Sequence, residues 1–175
     1  MAAKQTDGHH PMTARYLDQE KVRKALDSAQ SFGASYAEVR VVALTESTVA
    51  MRDGALEKAI PGQELGMTLR VLADGAWGVH STTDLASLND QIESTTRLAK
   101  AVAQRRSPSE RPKALAEVPV IEDETHWRSK LDVRHTELDE KIRLMNEMHS
   151  GATGHEDIVS VRTGWSDEHI HTCLL

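Results

Sequence analysis

Apolar positions recur at helical spacing in three stretches of the chain and at alternate positions in several others. Val22, Ala25, Leu26 and Ala29 fall on one face of a helix over residues 18–32. Asp18 is placed to cap its start, and Gly33 suits the left-handed position just past its end. Residues 36–43 alternate instead. Ala37, Val39, Val41 and Ala43 would face a core and Glu38 and Arg40 water, as a strand requires. The β-branched residues that follow allow this strand to continue to Met51. Asp53-Gly54 accepts the positive φ of a tight hairpin turn. A second strand over residues 55–60 then returns, and Pro61-Gly62 breaks it. Met67, Leu69 and Val71 mark a third strand, Asp74-Gly75 repeats the hairpin signal, and residues 76–82 form a fourth. Four successive strands with short turns read as an antiparallel meander.

Leu85, Leu88, Ile92, Thr95, Ala99 and Val102 then trace a second helix, with Thr83 or Asp84 as its cap. Pro108, Pro112 and Pro119 make residues 107–125 an extended connection. The third helix spans residues 136–149, with Thr136 and Asp139 as a capping box and Leu138, Ile142, Met145 and Met148 as its buried stripe. Glu137 with Lys141 and Asp139 with Arg143 are i,i+4 pairs of favourable polarity, and Gly151 and Gly154 end the helix. Two strands close the chain, one over residues 158–165 and one over 169–175, with Asp167-Glu168 as the turn between them. The order predicts an α+β fold: a mainly antiparallel sheet with helices packed on one face. Residues 1–16 read as a flexible lead-in and 17–175 as one domain.

Charge and composition narrow the function. The 175 residues hold 21 Lys and Arg against 27 Asp and Glu, so 21 − 27 gives a net charge of −6. That balance argues against a protein that holds nucleic acid by neutralising phosphates; Arg105, Arg106, Arg111 and Lys113 are the one basic cluster. Aromatics make up only 3%, too few for a stacking platform. No apolar run approaches a membrane span, and the start of the chain lacks a signal-peptide core. The lone Cys173 excludes an internal disulfide. These features point to a cytoplasmic protein without membrane contact.

Motifs that would carry chemistry are few. Neither a phosphate-cradling glycine loop nor a Gly-x-Ser-x-Gly elbow occurs. His155-Glu156 begins like a zinc-peptidase helix, yet Val159 stands where the second histidine is needed. His9-His10 could bind a metal loosely but read as solvated residues of the lead-in, whereas His169, His171 and Cys173 share one face of a strand and are the candidate metal ligands. A solvent-facing polar strand explains them as well and is the preferred reading. Glu122, Asp123 and Glu124 could do acid–base work but read as solvated surface after the proline-rich connection. Trp77, beside a hairpin turn and Val79, reads as a core anchor, while Trp127 stays open. No catalytic residue is assigned, and the substrate-binding residues are unknown.

Several segments together resemble one family. They are Ala34-Ser-Tyr-Ala-Glu-Val39, Arg52-Asp-Gly54, Glu64-Leu-Gly-Met-Thr-Leu-Arg-Val71, Asp74-Gly-Ala-Trp-Gly78 and Ser81-Thr-Thr-Asp84, followed by the second helix, the Leu138-Asp-Glu-Lys-Ile142 helix and the final strands. From about residue 17 to 175 the chain looks like the N-terminal domain of the TldD/PmbA (TldE) proteins, formerly called modulators of DNA gyrase. The resemblance implies a zinc metallopeptidase that works as paired TldD-like and TldE-like subunits on small or unfolded peptides. The family's His-Glu-x-x-x-His motif belongs to a C-terminal domain and is not found here, so no residue of this chain is matched to those ligands and no cofactor is expected within it. The expectation is an N-terminal scaffold whose catalytic domain lies beyond residue 175. The Trp127 to Leu131 segment leans towards a TldD-type parent. The alternative is a non-catalytic interaction module that modulates a partner such as DNA gyrase or a toxin–antitoxin component.

Overall fold

A computed structural model describes residues 18–110, 115–127, 130, 132 and 135–175. Its elements are helix α1 (Gln19–Ser28), strands β1 (Tyr36–Arg52), β2 (Ala55–Ala73) and β3 (Ala76–Thr82), helices α2 (Leu88–Gln104) and α3 (Leu138–Ala152), and strand β4 (Arg162–Leu174). A short 3₁₀ turn, Pro108–Glu110, follows α2. The strands form one sheet in the order β3-β2-β1-β4. β2 and β3 are antiparallel. Val39 and Leu175 exchange both backbone hydrogen bonds, and the Asp53 N–H donates to the Val161 carbonyl. Since 39 + 175 and 53 + 161 both equal 214, β1 and β4 run antiparallel in a single register. The α+β class and the antiparallel sheet read from the sequence are the observed ones.

Both hairpin turns form as their residues predict, with φ of 50° at Asp53, 79° at Gly54, 51° at Asp74 and 75° at Gly75. Six expected strands, however, are four. Pro61-Gly62 does not break β2, which runs through it. β3 ends at Thr82 opposite Met67, so residues 55–66 of β2 have no β3 residue beside them. A proline's missing N–H is tolerated along such an open side. Asp167-Glu168 is likewise no turn but the middle of β4, because Asp167 is held from β1 and α3 as described below.

By contact density the described residues divide into two compact units, the first drawn from 18–43, 65–119 and 171–175 and the second from 44–64 and 120–170. The first unit carries the larger core. Val22, Ala25 and Ala29 around α1, Val39 and Val41 on β1, Met67, Leu69 and Val71 on β2, and Leu88 and Ile92 on α2 are buried together. Burial of that many apolar side chains, at about 1.5–3 kcal/mol each for the larger ones, dominates its stability. α1 begins at Asp18, whose carboxylate accepts from the Lys21 N–H at 3.1 Å. It ends earlier than its pattern suggests, at Ala29, and Gly33 takes its positive φ of 90° in the turn beyond. Lys100 fills the space there and donates to the Phe32 carbonyl at 2.7 Å. Ser87, not Thr83 or Asp84, holds the N-cap position of α2, without a side-chain cap hydrogen bond; Asp84 accepts from the Ala86 N–H in a turn of its own. α2 crosses β3 so closely that a Cβ on Gly78 would lie 2.4 Å from the Thr95 carbonyl oxygen.

In the second unit the core is small: Val49, Met51 and Met145 are buried, with Ile142 and Trp165 packed against them. α3 starts at Glu137 without a side-chain cap, so the Thr136–Asp139 capping box does not form, and Gly151 lies inside the helix. Leu138 and Met148 are 44% and 63% exposed, while Lys141 takes a buried place in the stripe. The two expected i,i+4 pairs are replaced: Arg143 pairs with Glu140 and Glu147, and Lys141 turns to the sheet. Residues 115–127 are exposed and without regular structure. The expected lead-in at 1–16 and the basic residues Arg111 and Lys113 lie outside the described residues.

Candidate functional site

Two side-chain clusters stand out, one in each unit. In the second unit, alternation along β4 turns Trp165 and Asp167 to the same side, and Ser47 of β1 stands opposite Asp167 in the 214 register. Lys141 reaches down from α3 and donates to the Asp167 carboxylate and to the Ser47 hydroxyl, both at 2.6 Å. The Ser47 hydroxyl donates to the same Asp167 oxygen at 2.9 Å, and the Trp165 indole N–H donates there too. The Lys141 ammonium also lies 5.9 Å from the Trp165 ring centre. Lys141 and Asp167 are largely shielded, at 7% and 13% side-chain exposure. Burial pushes the Asp167 carboxyl up, but the donors from Lys141, Trp165 and Ser47 outweigh it and hold the group below its ordinary 3.8.

A serine beside a lysine suggests nucleophile and base, yet this pair is not arranged for that chemistry. The lysine is tied to a carboxylate, and the serine's proton is given to that carboxylate. The network therefore fastens α3 to β1 and β4. It was missed in the sequence because Lys141 was paired along its own helix. The available signal was a lysine at an inward position of α3 and an aspartate at an inward position of a strand, a combination that predicts a buried charge pair.

In the first unit, Trp77 is half-buried but not a core anchor. Ala76 and Gly78 are the buried residues of β3, so Trp77 and Val79 point to the opposite sheet face. There the Arg70 guanidinium lies 4.5 Å from the Trp77 ring centre, and Tyr36 meets that ring edge-on at 5.9 Å. Glu38 accepts from Arg70 and from the Tyr36 hydroxyl, each at 2.7 Å. The hydrogen bond to Glu38 raises the Tyr36 pKa, with burial and the Glu38 charge adding to it against Arg70, so the phenol stays a neutral donor. With Val79 at 52% exposure, this cluster is an aromatic and cationic surface suited to contact rather than to bond making.

The metal candidates do not assemble. His169 is exposed on β4, whereas His171 and Cys173 are half-buried. Cys173 packs against the core of the first unit, and burial pushes its thiol up, away from the thiolate a metal needs. Among the described residues, no group of three or more His, Cys, Asp or Glu side chains is placed to hold a metal ion, so they do not fit zinc. Glu124 lies 3.3 Å from His126 in an exposed stretch, and Trp127 is 97% exposed. No helix among the described residues is long and apolar enough to cross a membrane.

Among the described residues, the fold defines an α+β domain with a four-stranded antiparallel sheet and three helices. Residues 37–104 match the family model described as PmbA/TldA metallopeptidase domain 1. A metalloprotease of Methanocaldococcus jannaschii is 26% identical over 152 residues, 86% of this chain and 32% of that protein. Among solved structures, a protein described as a modulator of DNA gyrase from Bacteroides thetaiotaomicron superposes with a TM-score of 0.67 at 22% identity, covering 91% of this chain and 37% of that one. One of like description from Thermotoga maritima gives 0.68 at 17% identity, covering 91% and 35%. TldE from Thermococcus kodakarensis gives 0.56 at 13%, covering 87% and 34%. The chain thus spans about a third of the length of each of these relatives.

Proposed function

We propose that this chain is the N-terminal scaffold and substrate-access domain of a PmbA/TldD-type zinc metallopeptidase that acts on small or unfolded peptides in the cytoplasm. The match of residues 37–104 to the first domain of a metallopeptidase family is the observation that carries this reading. The outward cluster of Tyr36, Arg70, Trp77 and Val79 supports it by offering an extended peptide or a neighbouring domain an apolar face and one cation. In this reading zinc and the residues that hold it lie outside these 175 residues, and the chain works in an assembly with a TldD- or TldE-like subunit.

Peptide cleavage by the purified chain tests the division of labour. Unfolded casein peptides should stay intact with added zinc, and the chain should retain no stoichiometric zinc after dialysis. Hydrolysis by the chain alone, abolished by a chelator, would overturn the scaffold role. A chain that by itself altered supercoiling by DNA gyrase would favour an interaction module instead.

A further inference from the structure

α3 is fastened within its unit by few contacts. Only Lys141 and Met145 are buried along its 15 residues, and the apolar cluster beneath it has three buried members. Residues 115–127 before it and 153–161 after it are neither helix nor strand. Its main polar fastening is the Lys141–Asp167–Ser47–Trp165 network, whose members come from α3, β4 and β1. A helix with a thin apolar contact and one shielded ion pair has the composition of a separately opening element. Such a pair is weak as a source of stability but costly to break on one side, since the remaining charge stays shielded without its partner.

We propose that α3 is a releasable strap, which lifts as one body from the residue 44–52 part of β1 and the residue 162–170 part of β4, with the Lys141–Asp167 pair setting how often it opens. Opening uncovers Val49, Met51 and Trp165, an apolar strip that the closed strap hides. Acid works in the same direction as opening. Asp167 faces Lys141 from α3, Ser47 from β1 and Trp165 from its own strand, and the Lys141 ammonium is the charge acting on it. Because its carboxyl is held below 3.8, the fastening is fully present above that value and is lost as pH falls through the lower value of the closed state.

Hydrogen–deuterium exchange on the full 175-residue chain tests this. At neutral pH the amides of α3 should share one protection level, below that of α2 and of residues 67–73. D167N should raise exchange in α3 roughly a hundredfold and leave α2 unchanged. K141M, which leaves Asp167 its donors from Ser47 and Trp165, should raise it roughly tenfold. Protection of α3 in the unsubstituted chain should fall below pH 4, and D167N should remove that dependence. Loss of protection in α3 and α2 together at one level in the unsubstituted chain overturns the strap, as does wild-type protection of α3 in D167N. If D167N fails to fold, the unsubstituted profile and K141M still decide.

Discussion

α2 and α3 are similar in length, 17 and 15 residues, and each lies against strands of its own unit, yet different forces fasten them. α2 turns Leu88, Ile92, Thr95, Thr96, Ala99 and Ala103 inward, and the absence of a side chain at Gly78 lets it settle onto the β3 backbone. Close approach of small residues multiplies dispersion contacts that need no special chemistry and do not titrate. α3 buries two residues, one of them charged, and its hold depends on geometry and on a carboxylate staying ionised. The polar bookkeeping is reversed as well. In α2 the Thr95 hydroxyl is buried without a hydrogen-bond partner, whereas the Lys141 ammonium of α3 reaches two. A helix can be held firmly while wasting a polar group, or loosely with its charge satisfied.

The contrast can be broken most severely at Ile92, which is fully buried. Ile92→Ala should cost about 4 kcal/mol in urea denaturation, the lost burial plus the cavity left behind. A loss comparable to that of an exposed position would mean that α2 is not the main fastening of its unit. Gly78→Ala comes next, at about 2 kcal/mol, because the added methyl meets backbone and cannot be relieved by a side-chain rotation. An unchanged denaturation midpoint would show that α2 and β3 are further apart than described. The smallest effect has the opposite sign. Thr95→Val keeps the branched shape and removes the orphan hydroxyl, so it should gain about 1 kcal/mol. A lower midpoint for Thr95→Val would reveal a partner for that hydroxyl.

How much was legible followed the range of the interaction. Asp53-Gly54 and Asp74-Gly75 were readable because positive φ is a property of the residues themselves. The inward side chains of β1 were readable because a strand's alternation is fixed by its pleat. Pro61-Gly62 was misleading, since whether proline ends a strand depends on what lies beside it. Trp77 was misleading because the sequence around it does not say which face of β3 meets α2. The contact cluster of Tyr36, Glu38, Arg70 and Trp77 was invisible for the same reason, although each residue was in plain view. Family likeness was legible through glycine, turn and strand patterns spread over the chain, and the match over residues 37–104 falls within them.

The sequence by itself determined the α+β class, the three helices, both hairpin turns and the acidic balance. All of these rest on interactions within a few residues or on composition. The tertiary structure alone decided that six strands are four, that Trp77 faces outward, and that Lys141 abandons Glu137 for Asp167 and Ser47, 26 and 94 residues away. A side chain chooses among partners by the distance and shielding that folding imposes, and a shielded carboxylate outcompetes one in water that lies only a helical turn away.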